Sequence, residues 1–376
     1  MSKKVIHTDR VMRPIAHFSH AVRVGDLIHL GATAGTDEQR RLGGGMAGMV
    51  DIGAQTRRMF HNAEIVLELL GARLEHTVHV KTYITDLRDQ QLYRELYAEV
   101  FGPTAPDHVV VGSHGFPFPQ AAIELDLVAI VGSPVLRIPG AGVKAANRFY
   151  CNATPANTTA DFDVQVTSVF RQLEASVGQG RLTLSELVYL HVTLGDCRDM
   201  PALATTFAKV FGGRPPACTV VIAPLADPSA MVQIEAIAVQ GGGERVDGIG
   251  RGSEPILGAP AIIAGDDLYI SGQLGEADDG RLAIGTEAQT SLAWQRVDVL
   301  LAAAGMDRQA ILRTNNVLTD WRHYADFNAG YGAHVVEPYP PRATVLAGLA
   351  RRHALVQVEA IAHRHGGDAT IVQVPG

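Results

Sequence analysis

The chain has 376 residues, of which 47% are hydrophobic and 19% are charged, and its formal net charge is −7. This length is enough for two or three ordinary domains. The acidic balance and the lack of a dense basic run argue against a nucleic-acid partner. No apolar run is long enough for a membrane helix, and the first residues lack the apolar region of a signal peptide.

The cysteine pattern bears on the compartment and on metal binding. The three cysteines are an odd number and have no CxxC spacing. This pattern fits a reducing compartment and predicts neither a disulfide framework nor a zinc site. We therefore expect a cytoplasmic protein that uses no metal and no other cofactor.

The first predicted helix begins near Gln55, where apolar residues follow at helical spacing in GAQTRRMFHNAEIVLELLGA. A β-rich stretch, VHVKTYITD, then ends at Asp86, and QQLYRELYAEVFG gives a second helical pattern. A turn that contains proline and His108 follows, and the closing apolar run AAIELDLVAIV contains Glu124. Together with two earlier apolar runs, these elements predict the order β-β-α-β-α-β-β.

The same order recurs twice, with matched distances. The helix glutamine and the aspartate that ends the next strand are 31 residues apart in every copy (86 − 55, 196 − 165 and 320 − 289). The variable residue of the proline turn follows the glutamine by 53 (108 − 55, 218 − 165 and 342 − 289), and it is His108, Cys218 or Arg342. These repeats indicate a triplicated chain. Gly/Pro-rich joints place the units at 1–133, 134–242 and 243–376, named here units 1, 2 and 3.

Each unit has two helices, which can cover only one face of its sheet. The other face has to be buried against something, and the sister units are the obvious partners. The sequence therefore predicts three sheets packed about a pseudo-threefold axis within one chain.

Several segments resemble the Rid (YjgF/YER057c/UK114) family of enamine/imine deaminases, which is also known as endoribonuclease L-PSP-like. They are GDLIHLGAT and GDDLYISGQL on a strand, AQT at the first helix, YAEVFG closing the second helix, and PPRATV with VEAIA near the end. The family consists of small homotrimers with a chorismate-mutase-like fold. The resemblance implies an α+β chain made of three tandem chorismate-mutase-like units, which together form an intramolecular pseudo-trimer.

The resemblance also implies a site at the clefts between units. Arg342 corresponds to an arginine that binds the substrate carboxylate, and Glu359 to a glutamate that positions the hydrolytic water. Ser271 and Gly272 match a strand end that lines the pocket, and Asn328 matches an asparagine near the cleft. Only unit 3 keeps the Arg/Glu pair, so we expect one cleft of the family's usual type.

The other units depart from the family pattern. The arginine position holds His108 in unit 1 and Cys218 in unit 2, and no unit keeps the family's pocket tyrosine, whose counterpart in unit 1 is Phe18. The closing strands of these units contain Glu124 and Glu235, which the sequence pattern aligns with Glu359. His108 with Glu124, and Cys218 with Glu235, are therefore candidates for a second cleft with different chemistry. Each of these four residues could instead have a purely structural role.

The predicted function is the hydrolytic deamination of a small carboxylated enamine or imine such as 2-aminoacrylate. An arginine grips a carboxylate through two parallel hydrogen bonds, and a carboxyl group in an apolar strand can orient water and move protons. Two alternatives remain open. One is a protein that binds a small metabolite without catalysis, and the other is a lyase or hydrolase acting on a cyclic carboxylated substrate. We expect a monomeric pseudo-trimer or a low-order homo-oligomer that binds neither nucleic acid nor membrane.

Overall fold

The computed structural model describes residues 2–44, 50–248 and 255–374. Within these residues the chain forms three separate sheets and six α-helices. Unit 1 contains β1 (Lys3–Thr8), β2 (Ala21–Val24), β3 (Leu27–Ala34), α1 (Ile52–Leu69), β4 (Thr77–Ile84), α2 (Gln90–Phe101), β5 (Asp107–Gly112) and β6 (Ile123–Ile130). Unit 2 contains β7 (Val135–Ile138), β8 (Gly142–Ala145), β9 (Arg148–Ala153), α3 (Phe162–Gln179), β10 (Leu187–Leu194), α4 (Met200–Phe211), β11 (Ala217–Ile222) and β12 (Val232–Val239).

Unit 3 follows the same order and adds two strands. Its elements are β13 (Glu244–Val246), β14 (Ala261–Ala264), β15 (Asp267–Leu274), α5 (Thr286–Ala303), β16 (Ile311–Leu318), α6 (Tyr324–Gly332), β17 (Arg342–Leu346), β18 (Gly348–Leu349), β19 (Val356–His363) and β20 (Ala369–Val374). No helix among the described residues is long and apolar enough to cross a lipid bilayer.

The three sheets share one central strand order. It is β2-β3-β6-β4-β5 in unit 1, β8-β9-β12-β10-β11 in unit 2 and β14-β15-β19-β16-β17 in unit 3. The two strands joined through the second helix of each unit are parallel, and their other neighbours in this central order are antiparallel. The predicted α+β fold of three tandem units is therefore confirmed.

The repeated aspartates and glutamines make the same local hydrogen bonds in each unit. The aspartate after the fourth strand of each unit accepts the backbone N–H two residues further on and forms an ion pair with the arginine at that place, as Asp320 does with Arg322. The helix glutamine holds the start of the closing strand. Gln289, for example, accepts from the N–H of Leu355 at 2.8 Å, and Gln55 and Gln165 make the corresponding bond. The three glutamines thus fasten each unit internally.

The helices cover the outer face of each sheet. Unit 1 packs Met59 and Phe60 of α1 and Tyr93 of α2 against the sheet, and unit 3 packs the fully buried Trp294 in the same layer. The apolar faces that the sequence predicts for the helices therefore pack against this face of each sheet. Burial of these large side chains contributes roughly 1.5–3 kcal/mol each.

The inner faces of the sheets meet through buried ion pairs and hydrogen bonds between units. One acid from each sheet accepts a hydrogen bond from the preceding unit in the ring at 2.5–2.6 Å. The donors are Arg313 for Asp126, Lys81 for Glu235 and Tyr189 for Glu359. We call these three acids the axial acids. Asp107 and Glu235 outweigh the effect of burial on His79 and raise its pKa to about 9, so His79 adds a second cation beside Glu235.

Backbone pairing also joins the units. Strand β20 of unit 3 pairs in parallel with β1 of unit 1, and β18 pairs with β11 of unit 2. Between units 1 and 2, the N–H of Gly112 donates to the carbonyl of Pro224 at 2.8 Å. The units therefore share sheet contacts at all three seams, which we call the first (units 1 and 2), second (units 2 and 3) and third (units 3 and 1).

Replacement of Asp126 by alanine should lower the free energy of unfolding by about 3–5 kcal/mol, because it leaves the guanidinium of Arg313 buried without its partner. The two side chains are 1% and 10% exposed. The matched control is Glu99→Ala, which breaks the exposed Arg57–Glu99 pair and should cost at most about 1 kcal/mol. Urea unfolding measures both. Equal losses in the two variants would contradict a structural role for the axial acids.

Candidate functional site

The third seam brings strand β17 of unit 3 against strand β3 of unit 1. The two backbones approach closely at Gly31, where a Cβ atom would lie 3.0 Å from the backbone nitrogen of Arg342. Glycine is needed here because any side chain would push the strands apart. A further bond between the backbones of Ser19 and Pro340 holds the loop before β2 to the turn before β17.

Arg342 is the first residue of β17, and its side chain lies on the helix-covered face of the sheet. Nη2 donates to Oδ1 of Asn328 at 2.7 Å and to the hydroxyl of Tyr324 at 3.3 Å. The guanidinium carbon lies 4.6 Å from the ring centroid of Tyr331 and 5.4 Å from that of Phe18. The residue is only 3% exposed, and Nη1 has no hydrogen-bond partner. Buried donors without a partner are rare in folded proteins, which makes Nη1 a candidate contact for a ligand.

Glu124 comes to the same place from strand β6 of unit 1. Glu124 and Arg342 both line a cavity of about 50 Å³, together with Phe18, Tyr324 and Thr344. The hydroxyl of Thr344 is also buried without a partner. A water molecule needs roughly 10–15 Å³ by this measure, so the cavity holds several waters or one small metabolite.

The environment of Glu124 suits proton transfer. Burial, with a smaller contribution from the charge of Asp126, raises the pKa of Glu124 to about 8. The carboxyl group is therefore mostly protonated at neutral pH and changes charge within the working range of an enzyme. The cavity thus combines a fixed cation, which can bind a carboxylate, with a group that can give and take a proton.

The strand register identifies the true counterparts of Glu124. Glu124 lies opposite Tyr83, and the corresponding pairs in units 2 and 3 are Gln233 with Thr193 and Gln357 with Val317. Asp126, two residues after Glu124, is instead the counterpart of Glu235 and Glu359. The alignment of Glu124 with Glu235 and Glu359 was therefore wrong. Side chains two residues apart point to the same face of a strand, so a misalignment by two residues does not change the face to which an acid is assigned.

The structure does not bring Arg342 and Glu359 together. Arg342 is in register with Thr314 and Ala360, whereas Glu359 is in register with Asn315, so their side chains leave opposite faces of the sheet. Glu359 accepts from Tyr189 at 2.5 Å and pairs with His191 at 3.4 Å on the inner face. Burial opposes its charge, but His191 and these hydrogen bonds lower the pKa of Glu359 to about 2.

Ser271 and Gly272 lie at the second seam, away from Arg342. The hydroxyl of Ser271 accepts from the N–H of Cys218 at 2.7 Å, and the N–H of Gly272 donates to Thr219 at 2.9 Å. The expectation that they line the pocket of Arg342 was wrong. The strand after the proline turn of each unit (β5, β11 or β17) contacts the next unit in the ring, so Ser271 and Gly272 contact β11 of unit 2. The residue of unit 1 that takes the place of Gly272 in the Arg342 cavity is Ala32.

Cys218 and Glu235 do not share a cleft. Cys218 is 2% exposed, and burial raises the pKa of its thiol above the usual range. A Cβ atom on Gly258 would meet the Cβ of Cys218 at 2.7 Å, so the loop of unit 3 packs directly on this position. Glu235 lies on the inner face with Lys81 and His79.

His108 and Glu124 are also separated, since His108 belongs to the first seam and Glu124 to the third. The ring of His108 stacks on Tyr97 at 4.0 Å and shares a 2.8 Å hydrogen bond with the hydroxyl of Tyr93. Burial, followed by the charge of Arg94, lowers the pKa of His108 to about 3. The position of the arginine in unit 3 is thus taken in unit 1 by a neutral ring packed between aromatic side chains.

A second enclosed space lies on the inner side of the ring. It is a cavity of about 50 Å³ lined by both Glu235 and Glu359, with His29, Arg313 and Asn315 on its wall. Within residues 2–44, 50–248 and 255–374, no group of three or more His, Cys, Asp or Glu side chains is placed to hold a metal ion.

The repeated fold and the site at a seam between units are the features that the resemblance to the Rid family implied. The family model described as Endoribonuclease L-PSP matches residues 8–131 and 259–364, which together are more than half of the chain, so the chain belongs to this family. The predicted resemblance is therefore confirmed. The whole of unit 2 lies between the two matched segments.

Individual relatives correspond to one unit. A RutC family protein of Pyrococcus abyssi is 33% identical over 129 residues, which are 34% of this chain and 98% of that protein. Protein DfrA of Myxococcus xanthus is 29% identical over 132 residues, or 35% of this chain and 97% of that protein.

Two solved structures are similar to different extents of the chain. A YjgF/YER057c/UK114 family member from Mycobacterium tuberculosis is 30% identical, with a TM-score of 0.27, and covers 30% of this chain and 86% of its own. A chorismatase covers 77% of this chain and 93% of its own, with a TM-score of 0.57 and 10% identity. At that identity the chorismatase shows only that the larger fold is shared.

The raised pKa of Glu124 gives a test of its burial. A carboxyl group in an unfolded chain has a pKa near 4.3, so between about pH 5 and 8 the folded protein holds a proton that the unfolded chain has lost. The unfolding free energy of the wild type should therefore fall as the pH rises through this range. Glu124→Gln should lack this part of the slope in urea unfolding from pH 5 to 9. The same slope in both proteins would show that Glu124 ionises normally.

Proposed function

We propose that the protein hydrolyses a small carboxylated enamine or imine in the cavity of the third seam. The observation that carries the proposal is that Arg342 from unit 3 and Glu124 from unit 1 line one cavity. The turn position in the other units is His108 or Cys218, and the strand position is Gln233 or Gln357. The third seam is thus the one that combines a cation and a titratable acid at these positions.

Arg342 binds the substrate carboxylate. Asn328 and Tyr324 hold one nitrogen of the guanidinium, and the unpartnered Nη1 is left for the ligand. Charged hydrogen bonds from a fixed arginine fork position the bound acid as well as attract it. The imine carbon is then fixed near Glu124, so the attack of water becomes effectively unimolecular.

Glu124 moves the protons. With 2-aminoacrylate, the neutral carboxyl group protonates the methylene carbon and gives an iminium ion, and the carboxylate so formed takes a proton from the attacking water. Glu124 then returns that proton to the nitrogen of the carbinolamine. The C–N bond breaks and ammonia leaves, while the carboxylate of Glu124 takes the hydroxyl proton, which yields pyruvate and restores the neutral carboxyl group. The overall reaction consumes one water per ammonia and requires no redox partner.

A role in binding a metabolite without turnover is the second candidate. The enclosed cavity with unpartnered donors would serve a binding protein equally well. In that case pyruvate or another 2-oxo acid would bind at the third seam in a manner that depends on Arg342, and ammonia release from 2-aminoacrylate would not be accelerated.

Ammonia release from 2-aminoacrylate generated in situ tests the residue roles. Arg342→Ala should lower kcat/KM at least about 100-fold through the loss of positioning, and Glu124→Gln should lower it about 10²–10⁴-fold. The matched control Glu359→Gln changes the same functional group on the inner face and should lose less than tenfold. Loss in Glu359→Gln with full activity in Glu124→Gln would reject this site.

The pH profile tests the protonation state of Glu124. Because the reaction with an enamine starts from the neutral carboxyl group, kcat/KM should fall as the pH rises through about 8. The residual activity of Glu124→Gln should show no inflection there. An activity of the wild type that instead rises through pH 8 would mean that the carboxylate is the starting form.

A further inference from the structure

A groove of about 690 Å³ lies next to the catalytic cavity and has no role in the reaction just described. Its walls are β1, the segment that follows β1, the turn before Arg342 and the last strand, β20. The volume lies within the usual range for small-molecule sites, about 300–1,000 Å³. The two spaces are neighbours because Phe18 lines both of them.

The groove is lined by rings. His7, His20, Phe18 and Tyr339 all contribute to its wall. The rings of His7 and His20 are 6.5 Å apart and edge-on, and Tyr339 packs edge-on against His17 at 5.3 Å. Aromatic walls of this kind favour a planar, apolar group, which they contact through offset or edge-to-face geometry.

The groove offers little net charge. Its exposed charged residues, Arg13 and Asp9, form an ion pair with each other at 2.5 Å. Burial lowers the pKa of both His7 and His20, which are therefore uncharged at neutral pH. Nε2 of His7 is buried without a hydrogen-bond partner. An occupant with a neutral planar ring fits these walls better than a second anion does.

The geometry joins this groove to the catalytic cavity through the turn of unit 3. Tyr339 precedes Arg342 by three residues, and the intervening Pro340 is bonded to Ser19 beside Phe18. A ligand held by Arg342 could therefore extend past Phe18, which is only partly buried, towards Tyr339 and His7.

We propose that the groove is a side-chain subsite and that the preferred substrates are 2-imino acids with an aromatic or heteroaromatic side chain. The carboxylate and the imine carbon occupy the cavity of Arg342 and Glu124, and the ring of the substrate lies between Tyr339 and His7. This inference rests on the proposed function, because it takes the Arg342 cavity as the place of reaction.

The test compares the 2-imino acids that an L-amino-acid oxidase forms from L-phenylalanine and from L-alanine. In the wild type, kcat/KM should be higher for the phenylalanine product. The ratio of the two kcat/KM values should fall about tenfold in Tyr339→Ala, which removes one aromatic contact. His7→Ala should lower the ratio in the same direction and serves as a second variant if Tyr339→Ala does not fold.

The matched control is His61→Ala, a histidine exposed on α1, which should leave the ratio unchanged. A preference for the alanine product in the wild type, or an unchanged ratio in both groove variants, would overturn the subsite while leaving the proposed reaction in place.

A binding measurement distinguishes failure of the proposed reaction from failure of the proposed subsite. If the wild type hydrolyses neither imine, the proposed function fails, and calorimetric titration with phenylpyruvate and pyruvate decides about the groove. Tighter binding of phenylpyruvate that is weakened by Tyr339→Ala would support the subsite. Equal binding of the two acids, or no effect of Tyr339→Ala, would overturn it.

Discussion

The three axial acids impose the arrangement on which the rest of the molecule depends. Asp126 and Glu235 are buried and the side chain of Glu359 is only 13% exposed, and a carboxylate withdrawn from water without a partner is costly. Each of them receives its partner from another unit, so all three are satisfied together only when the sheets face one another in one cyclic order. The donors differ at every step of the ring, which distinguishes the correct order of units from any other. The geometry of the Arg342 cavity follows from this order, because the order decides which neighbouring unit each of the strands β5, β11 and β17 contacts.

The three seams have the same backbone arrangement but different side chains at equivalent positions. At the third seam the turn position holds Arg342 and the neighbouring unit offers Glu124, and an enclosed cavity remains between them. At the second seam Cys218 is covered by the backbone around Gly258. At the first, the imidazole of His108 packs on Tyr97. The difference lies in volume and charge at equivalent positions, since the strand order and register are shared.

Much of the fold was predictable from the sequence because it depends on local patterns. The helices follow apolar spacing, and the glutamine and aspartate that recur 31 residues apart make the same local hydrogen bonds in each unit. Arg342 and Asn328 were assigned together and are hydrogen-bonded. The alignment of Glu124 with Glu235 and Glu359 was wrong, although a second acidic residue, Asp126, stands two positions later and offered the correct alignment. The contact of Ser271 with Cys218 could not be predicted, because spacing within a unit does not show which neighbouring unit each strand contacts.

The pairing of β20 with β1 has a consequence for how this molecule can change. It ties the end of the chain to its beginning across the third seam, so the ring is closed within a single polypeptide. In an assembly of identical subunits every substitution is copied into each interface. Here a mutation alters one interface alone, which lets a single pocket diverge while the remaining two act as scaffold. The stoichiometry of a tight inhibitor directed at Arg342 would accordingly be one per chain.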